Sequence, residues 1–316
     1  MQYQAAVFGE AIIDLIAQQP DQYSAYIGGS PFNVARSFAK QGIESCYLSP
    51  ISTDHYGQKI YEFAQEQSIG LPLANRSGCP SSLALVYLDE NKQPDYCLYR
   101  KGIADLDITT EKLRALIPKN IKLFHTGSLA LVPDMVEVLS PLLEELKSQG
   151  VAISMDINMR KGVEQDNALY IKAVKDLVSY ADIVKVSDED LTLLGYECSP
   201  QDGAKALLQN LNQAVVVLTK GAEGSEIFAE EFHLQQDAYP PQQFGDTVGA
   251  GDTFFSAFLS QLIRDNSLTT NWQKSSLSKA LNIGLMAATL NVESNGCHPP
   301  SLEEVSTRLS SIDQGA

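Results

Sequence analysis

Two carboxylates, Asp246 and Asp252, bracket three small residues in the run Phe244-Gly-Asp-Thr-Val-Gly-Ala-Gly-Asp-Thr-Phe-Phe255. Behind them Phe254, Phe255, Phe258, Leu259, Leu262 and Ile263 recur at helical spacing, which predicts a helix starting near Gly249 to Asp252. The free N–H groups of a helix start and the helix dipole together make an anion site. Gly249, Ala250 and Gly251 leave room for a phosphate to approach that backbone. A carboxylate beside a phosphate cradle suits one task, taking the proton from a hydroxyl that attacks a phosphoryl group. Read alone, the same run also fits a capped helix and a turn with no chemistry.

Other segments carry groups of complementary type. Gly28-Gly-Ser-Pro-Phe-Asn-Val-Ala-Arg36 opens a helix with a proline near its first turn. Gly28 and Gly29 let a polyhydroxyl ligand lie against backbone N–H groups, and the Asn33 amide offers hydroxyls both a donor and an acceptor. Asp14, shortly after Gly9, is placed at a strand end, where it would accept from two sugar hydroxyls. Asp156-Ile-Asn-Met-Arg160 puts a carboxylate, an amide and a guanidinium in one turn, with Arg160 suited to phosphoryl charge or a ligand hydroxyl. Ser187-Asp-Glu-Asp190 opens a helix whose dipole accounts for Asp188 and Glu189, while Asp190 is positioned to hold water around Mg²⁺. In Thr219-Lys-Gly-Ala-Glu-Gly224, Gly221 and Gly224 predict a tight hairpin turn open to an adenine or ribose. Asn282, on a helix, and the Asn291–Gly296 turn border the same space.

These groups need a frame. Short apolar runs alternate with helical patterns: Ala5–Phe8 then Asn33–Gln41, Cys46–Leu48 then His55–Gln67, Lys122–His125 then Met135–Lys147. The alternation continues with Val151–Met155 then Ala168–Ser179, Ile183–Val186 then Glu189–Leu194, and Gln201–Leu211 then Ala214–Leu218. This is the form of a parallel sheet covered on both faces. Ligands on such sheets gather beyond the carboxyl ends of the strands, which puts Gly9, Asp14, Ser128, Asp156 to Arg160, Ser187 to Asp190 and Thr219 to Gly221 on one rim. Extended sequence at Leu15–Gln18 and Tyr23–Ile27, and a hairpin of Ser82–Asp89 with Asp95–Arg100 across Glu90-Asn-Lys-Gln-Pro94, break the pattern. They predict a small second sheet acting as a lid or an oligomer contact.

Composition narrows the partners. At 316 residues and 44% hydrophobic content, the chain can bury one large core. Its formal charge, 23 − 39 = −16, argues against nucleic acid as a partner but leaves small phosphorylated ligands open. Five scattered cysteines (Cys46, Cys79, Cys97, Cys198, Cys297) and four scattered histidines (His55, His125, His233, His298) suggest neither a disulfide framework nor a zinc site. The amino-terminal residues lack a signal-peptide pattern, and no apolar run is long enough to span a membrane; a cytoplasmic location is expected.

The glycine pair with Asn33 and the Gly249–Asp252 nest form a joint pattern that resembles the PfkB, or ribokinase-like, family of carbohydrate kinases. Gly28-Gly-Ser-Pro-Phe-Asn33 matches the amino-terminal signature and Asp246-Thr-Val-Gly-Ala-Gly-Asp252 the carboxy-terminal one. The likeness runs from Gly9 to Gly296 and is greatest to the fructokinase branch, through Gly9-Glu-Ala-Ile-Ile-Asp14, Tyr99-Arg-Lys-Gly-Ile-Ala-Asp105, Asp156-Ile-Asn-Met-Arg160 and Lys185-Val-Ser-Asp-Glu-Asp190.

The resemblance implies a single ribokinase-like α/β domain over 1–316, a three-layer sandwich with a mostly parallel central sheet and a β-sheet lid from about 11–30 and 82–105. It implies ATP-dependent phosphorylation of a ketohexose, foremost D-fructose to fructose 6-phosphate, with Mg²⁺ and K⁺ as the ions and a homodimer formed through the lid. Asp252 would be the base and Gly249, Ala250 and Gly251 the anion hole; Asp14, Gly28, Gly29, Asn33, Arg100 and Arg160 would contact the sugar. Lys185, Ser187, Thr219, Gly221, Gly224 and Asn282 would line the nucleotide side, with Asp190 on Mg²⁺ through water. Asp246, the Val248 carbonyl, Asn291, Ser294 and Gly296 would surround the K⁺. One departure is plain: the family's Asn-x-x-Glu reads Ser187-x-x-Asp190, and the shorter acid could pass the metal contact to Glu189. A 2-keto-3-deoxygluconate, ribose or aminoimidazole riboside acceptor remains open, as does an inactive sugar or nucleotide sensor on the same fold.

Overall fold

The computed structural model describes residues 3–19, 22–72, 75–88, 94–268 and 271–313. The buried run β1 (Ala5–Val7) starts a large sheet, and the chain then leaves it for a hairpin, β2 (Ile12–Gln19) and β3 (Gln22–Gly28). There follow α1 (Ser30–Lys40), β4 (Ser45–Tyr47), β5 (Ile51–Ser52), α2 (His55–Glu66), β6 (Arg76–Ser77), β7 (Ser82–Leu88) and β8 (Pro94–Tyr99). From α3 (Thr110–Leu116) onward strands and helices alternate: β9 (Leu123–Gly127), α4 (Pro133–Ser148), β10 (Ala152–Asp156), α5 (Asn167–Val178), β11 (Ile183–Ser187), α6 (Asp188–Leu193), α7 (Pro200–Leu208) and β12 (Val215–Thr219). The chain closes with β13 (Ser225–Phe228), β14 (His233–Gln236), α8 (Ala250–Arg264), α9 (Lys274–Val292) and α10 (Leu302–Asp313).

The large sheet has the order β14-β13-β12-β11-β10-β9-β1-β4, parallel from β12 to β4, with β13 and β14 added as antiparallel strands at one edge. Successive strand residues point to opposite faces, so each apolar strand feeds two cores. Val184, Val186, Val216 and Leu218 pack with Leu139 and Leu143 of α4, Leu177 of α5 and Leu207 of α7. Ile183, Val215 and Val217 pack on the other side with Phe38 of α1, Phe255 and Phe258 of α8, and Leu281 of α9. The register aligns the carboxyl ends: Asp156 lies beside Gly127 and Lys185, and Ser187 beside Thr219. The rim expected from strand–helix alternation is therefore present.

A second sheet stands apart, ordered β3-β2-β7-β8, with β2 and β7 parallel and both outer pairs antiparallel. Its strands cover Ile12–Gln19 and Gln22–Gly28 of one expected segment and Ser82–Leu88 and Pro94–Tyr99 of the other; Arg100 onward is a turn and a short 3-10 helix, Ala104–Leu106. The connection at 89–93 lies outside the described residues. Asp14 lies not at the end of a large-sheet strand but within β2, between Tyr26 and Ala84. The chain departs the large sheet at Val7, and the apolar run around Asp14 finds its ladder partners in β3 and β7 instead. The two-residue ladder of β5 with β6 carries no pattern that sequence periodicity could detect.

Candidate active site

Helix α8 is entered through Gly249, whose φ of +72° is left-handed and whose missing side chain leaves space for Cys297; a Cβ there would lie 2.4 Å from Sγ. Only glycine satisfies both demands without strain. Asp252 follows in the first turn, 8% exposed. Against it α1 begins after Gly29, where φ is +107° and a Cβ would press to 2.4 Å from the Glu10 carbonyl oxygen. The two helix starts meet through side chains: Ser30 Oγ donates to Asp252 Oδ1 at 2.7 Å, and Asn33 Nδ2 donates to Oδ2 at 2.8 Å. Segments 219 and 222 residues apart thus share one carboxylate.

Glu10 supports this junction from below, its Oε1 accepting the Ser30 N–H at 3.2 Å. Burial pushes its carboxyl up to about 7, although the Arg100 guanidinium pulls the other way. Beside the α8 start, Lys185 Nζ donates to both Asp156 oxygens at 2.9 and 3.0 Å, and both residues are buried. Burial alone would lower the Lys185 pKa, but Asp156, Asp190 and Asp252 outweigh it and hold the ammonium charged. Nζ lies 3.4 Å from where a Cβ on Gly251 would sit, so a fixed positive charge borders the α8 start.

The remaining candidates fall into three groups. Asp14 faces Gly28 across the β2–β3 pair, so closely that a Cβ at 28 would meet its Oδ2 at 2.4 Å. Burial raises its carboxyl to about 6 against the lowering effect of Arg160, whose own side chain is exposed. Arg100 is committed to the protein: it pairs with Asp105 at 2.9 Å and donates to Ser82 Oγ and the Leu129 carbonyl. Asp190 is likewise engaged, taking Met159 N–H on Oδ1 and the Ser187 N–H and hydroxyl on Oδ2. With the reciprocal bond from Asp190 N–H to Ser187 Oγ this is a capping box for α6, which leaves it little capacity for a metal-bound water. Glu189 beside it is exposed.

Of the residues expected to line a nucleotide, Thr219 ends β12, Gly221 opens a 3-10 turn, and Gly224 packs against the Gln236 backbone. Asn282 on α9 accepts from the Tyr239 hydroxyl at 3.4 Å. The residues expected around a monovalent ion do converge. Asp246 accepts from the N–H groups of Val248 and Gly296, Asn291 donates to the Val248 carbonyl, and the Ser294 carbonyl accepts from Asp246 N–H. Among the described residues no three His, Cys, Asp or Glu side chains form a metal-binding group. His125 takes no part: it is buried against Phe255 and Ser154, and burial drops it to about 3, which keeps it neutral.

Two contributors escaped the sequence reading. Ser30 lies inside the glycine motif, where its hydroxyl was the available signal, and Glu10 follows Gly9; neither residue advertises its partner.

A family model described as pfkB family carbohydrate kinase matches residues 2–304. This chain belongs to that family. A fructokinase of Rhizobium leguminosarum bv. trifolii is 31% identical over 282 residues, 87% of this chain and 85% of the relative. Among solved structures, a fructokinase of Xylella fastidiosa with bound ATP superposes with a TM-score of 0.85 at 23% identity, covering 98% of this chain and 99% of that one. A fructokinase of Vibrio cholerae O395 in a form bound to fructose, ADP and calcium ion gives 0.82 at 23% identity, over 97% and 98%. The sheet order and the detached small sheet of this pfkB carbohydrate kinase are thus those of a known kinase fold.

Proposed function

We propose that this pfkB kinase moves the γ-phosphoryl group of ATP to the terminal hydroxymethyl of a ketohexose, with D-fructose giving fructose 6-phosphate as the first candidate. The observation that carries the reading is the Asp252 carboxylate, buried at the α8 start and met there by Ser30 and Asn33 from the glycine loop. An acceptor lying on Gly28, Gly29 and Asn33 presents its alcohol to Asp252, while Asp14 and the exposed Arg160 are within reach of its other hydroxyls. The N–H groups at Gly249, Ala250 and Gly251 and the Lys185 ammonium supply positive potential for the transferring group. The small sheet closes over the acceptor and keeps out water, the competing nucleophile. Arg100 serves by fixing the turn after β8 rather than by touching sugar. Fructose is favoured by the names of the relatives.

The ions fit unequally. The loop of Asp246, Val248, Asn291, Ser294 and Gly296 gathers the Asp246 carboxylate and the Val248 and Ser294 carbonyls, the oxygen type a K⁺ ion takes, with N–H groups of the same loop on each of them in this structure. Mg²⁺ keeps most of its waters and binds through phosphates with one or two carboxylates, so Glu189 or the remaining lone pair of Asp190 suffices. When bound it neutralises phosphate charge. A homodimer through the outer face of the small sheet completes the reading.

The test is ADP release, with fructose, 2-keto-3-deoxygluconate, ribose and aminoimidazole riboside offered in turn. Release only with fructose supports the substrate; release only with another acceptor reassigns it. No release with any of them points to a sensor. Asp252→Asn is expected to leave sugar binding nearly intact and lower kcat by roughly 10²–10⁴. Retention of near-wild-type turnover would remove Asp252 from the role of base.

A further inference from the structure

The acid that the kinase reading makes the base is not free in its cleft. At 8% exposure it has little water to accept from, and each of its oxygens takes one side-chain donor from the first turn of α1. Ser30 and Asn33 are three residues apart, so they project from one face of that helix toward the same carboxylate. Their prospects once sugar arrives differ. Asn33 has a long amide side chain with a second donor and an acceptor to give a ligand. Ser30 has a single side-chain torsion, a backbone N–H tied to Glu10, and Pro31 locking the next residue. Of the two, Ser30 is the donor that stays.

We infer that Ser30 is a positioning residue for phosphoryl transfer: its hydroxyl, on Oδ1, fixes the rotamer of Asp252 and leaves a lone pair on Oδ2 for the sugar alcohol. Asn33 is then released to read the sugar. The inference rests on Asp252 being the base, and the experiment separates the two. Lys185 from β11, Asp156 from β10 and Cys297 from the loop after α9 also face Asp252, and Lys185 gives its hydrogen bonds to Asp156 and not to Asp252.

The pH profile of kcat/KM distinguishes a positioning hydroxyl from one that merely packs. A hydrogen bond to a charged group favours the charged form, and its loss is worth about a ten-fold effect. For Ser30→Ala the acid limb is expected to move up by about one pH unit, and kcat at neutral pH to fall about ten-fold. The KM for fructose should change less than about three-fold, since the sugar contacts stay. Ser30→Thr, which keeps the hydroxyl, should return the acid limb to its wild-type position. Placed in an Asp252→Asn background, Ser30→Ala should cost nothing further in kcat, because the two groups act as one. An unmoved acid limb in Ser30→Ala, an equal shift in Ser30→Thr, or a full additional loss in the double variant would each overturn the inference while leaving the base assignment standing. Ample turnover by Asp252→Asn alone would take away the base, and this role with it.

Discussion

Glu10 lies 2% exposed beneath the Gly28–Ser30 loop, one oxygen on the Ser30 N–H and the other without a well-formed partner among the described residues. Burial raises its carboxyl from 4.5 to about 7, so the folded chain holds a proton that the unfolded chain has already released. The sign follows: between pH 4.5 and 7 the native state binds more protons than the unfolded one, and stability falls as pH rises through that window. Glu10→Gln keeps the acceptor for Ser30 and abolishes the ionisation. The variant is expected to match wild type near pH 4.5 and to exceed it at pH 8 by up to about 3 kcal/mol. Urea unfolding at the two pH values checks this, and a difference independent of pH would refute it. Glu10 and Ser30 were opaque in the sequence because the role of the first depends on burial under a loop 20 positions on, and that of the second on a partner 222 positions away. Asp252, Asn33 and the glycines were legible because each has a local signature, a helix start with small residues beside a polar group.

Elements show the same division at larger scale, and the α8 start allows a sharper test. Gly249 and Gly251 look alike in sequence but carry different duties. Gly249 needs its positive φ and the space taken by Cys297, whereas Gly251 is helical and has only Lys185 near, at 3.4 Å. Gly249→Ala is therefore expected to cost about 1–2 kcal/mol of stability from left-handed strain, together with activity. Gly251→Ala should be neutral to stabilising by up to about 1 kcal/mol, since alanine is the better helix residue. Yet its methyl would touch the Lys185 Cε and Nζ at the α8 start, where the kinase reading seats the phosphate, so kcat/KM for ATP should fall by more than about ten-fold. Thermal unfolding and ATP kinetics on both variants check the contrast; equal destabilisation would sink it. The helices α1, α4, α5 and α8 were readable from their periodicity, and the core strands from apolar runs. Asp14 was misplaced because a run such as Ile12-Ile-Asp-Leu-Ile16 reads as a strand without saying which sheet it joins. Only long-range pairing decides that.

At the scale of the molecule the small sheet has two faces of different composition. Asp14 and Gly28 share the face turned to the cleft. The opposite face carries Tyr23, Tyr87 and Tyr99, at 42, 41 and 55% exposure, with Tyr23 and Tyr87 meeting edge to face at 6.2 Å across Ala17. Exposed tyrosines on a four-stranded sheet are costly to leave in water and suit an interface core. A second copy is the occupant proposed above, and the charge of −16 sets a condition on it. Two such chains repel, and the repulsion is screened within about 10 Å at 0.1 M salt. Dimerisation driven by this apolar face should therefore tighten as salt rises from about 10 to 150 mM, the reverse of an interface held by ion pairs. Light scattering at both salt concentrations is expected to give twice the chain mass at the higher one. Tyr23→Glu combined with Tyr87→Glu should give a monomer whose KM for sugar rises, because the lid loses the partner that braces it over the cleft. A wild-type monomer at every salt concentration would remove the dimer, and a monomeric variant with unchanged sugar kinetics would detach the dimer from lid closure.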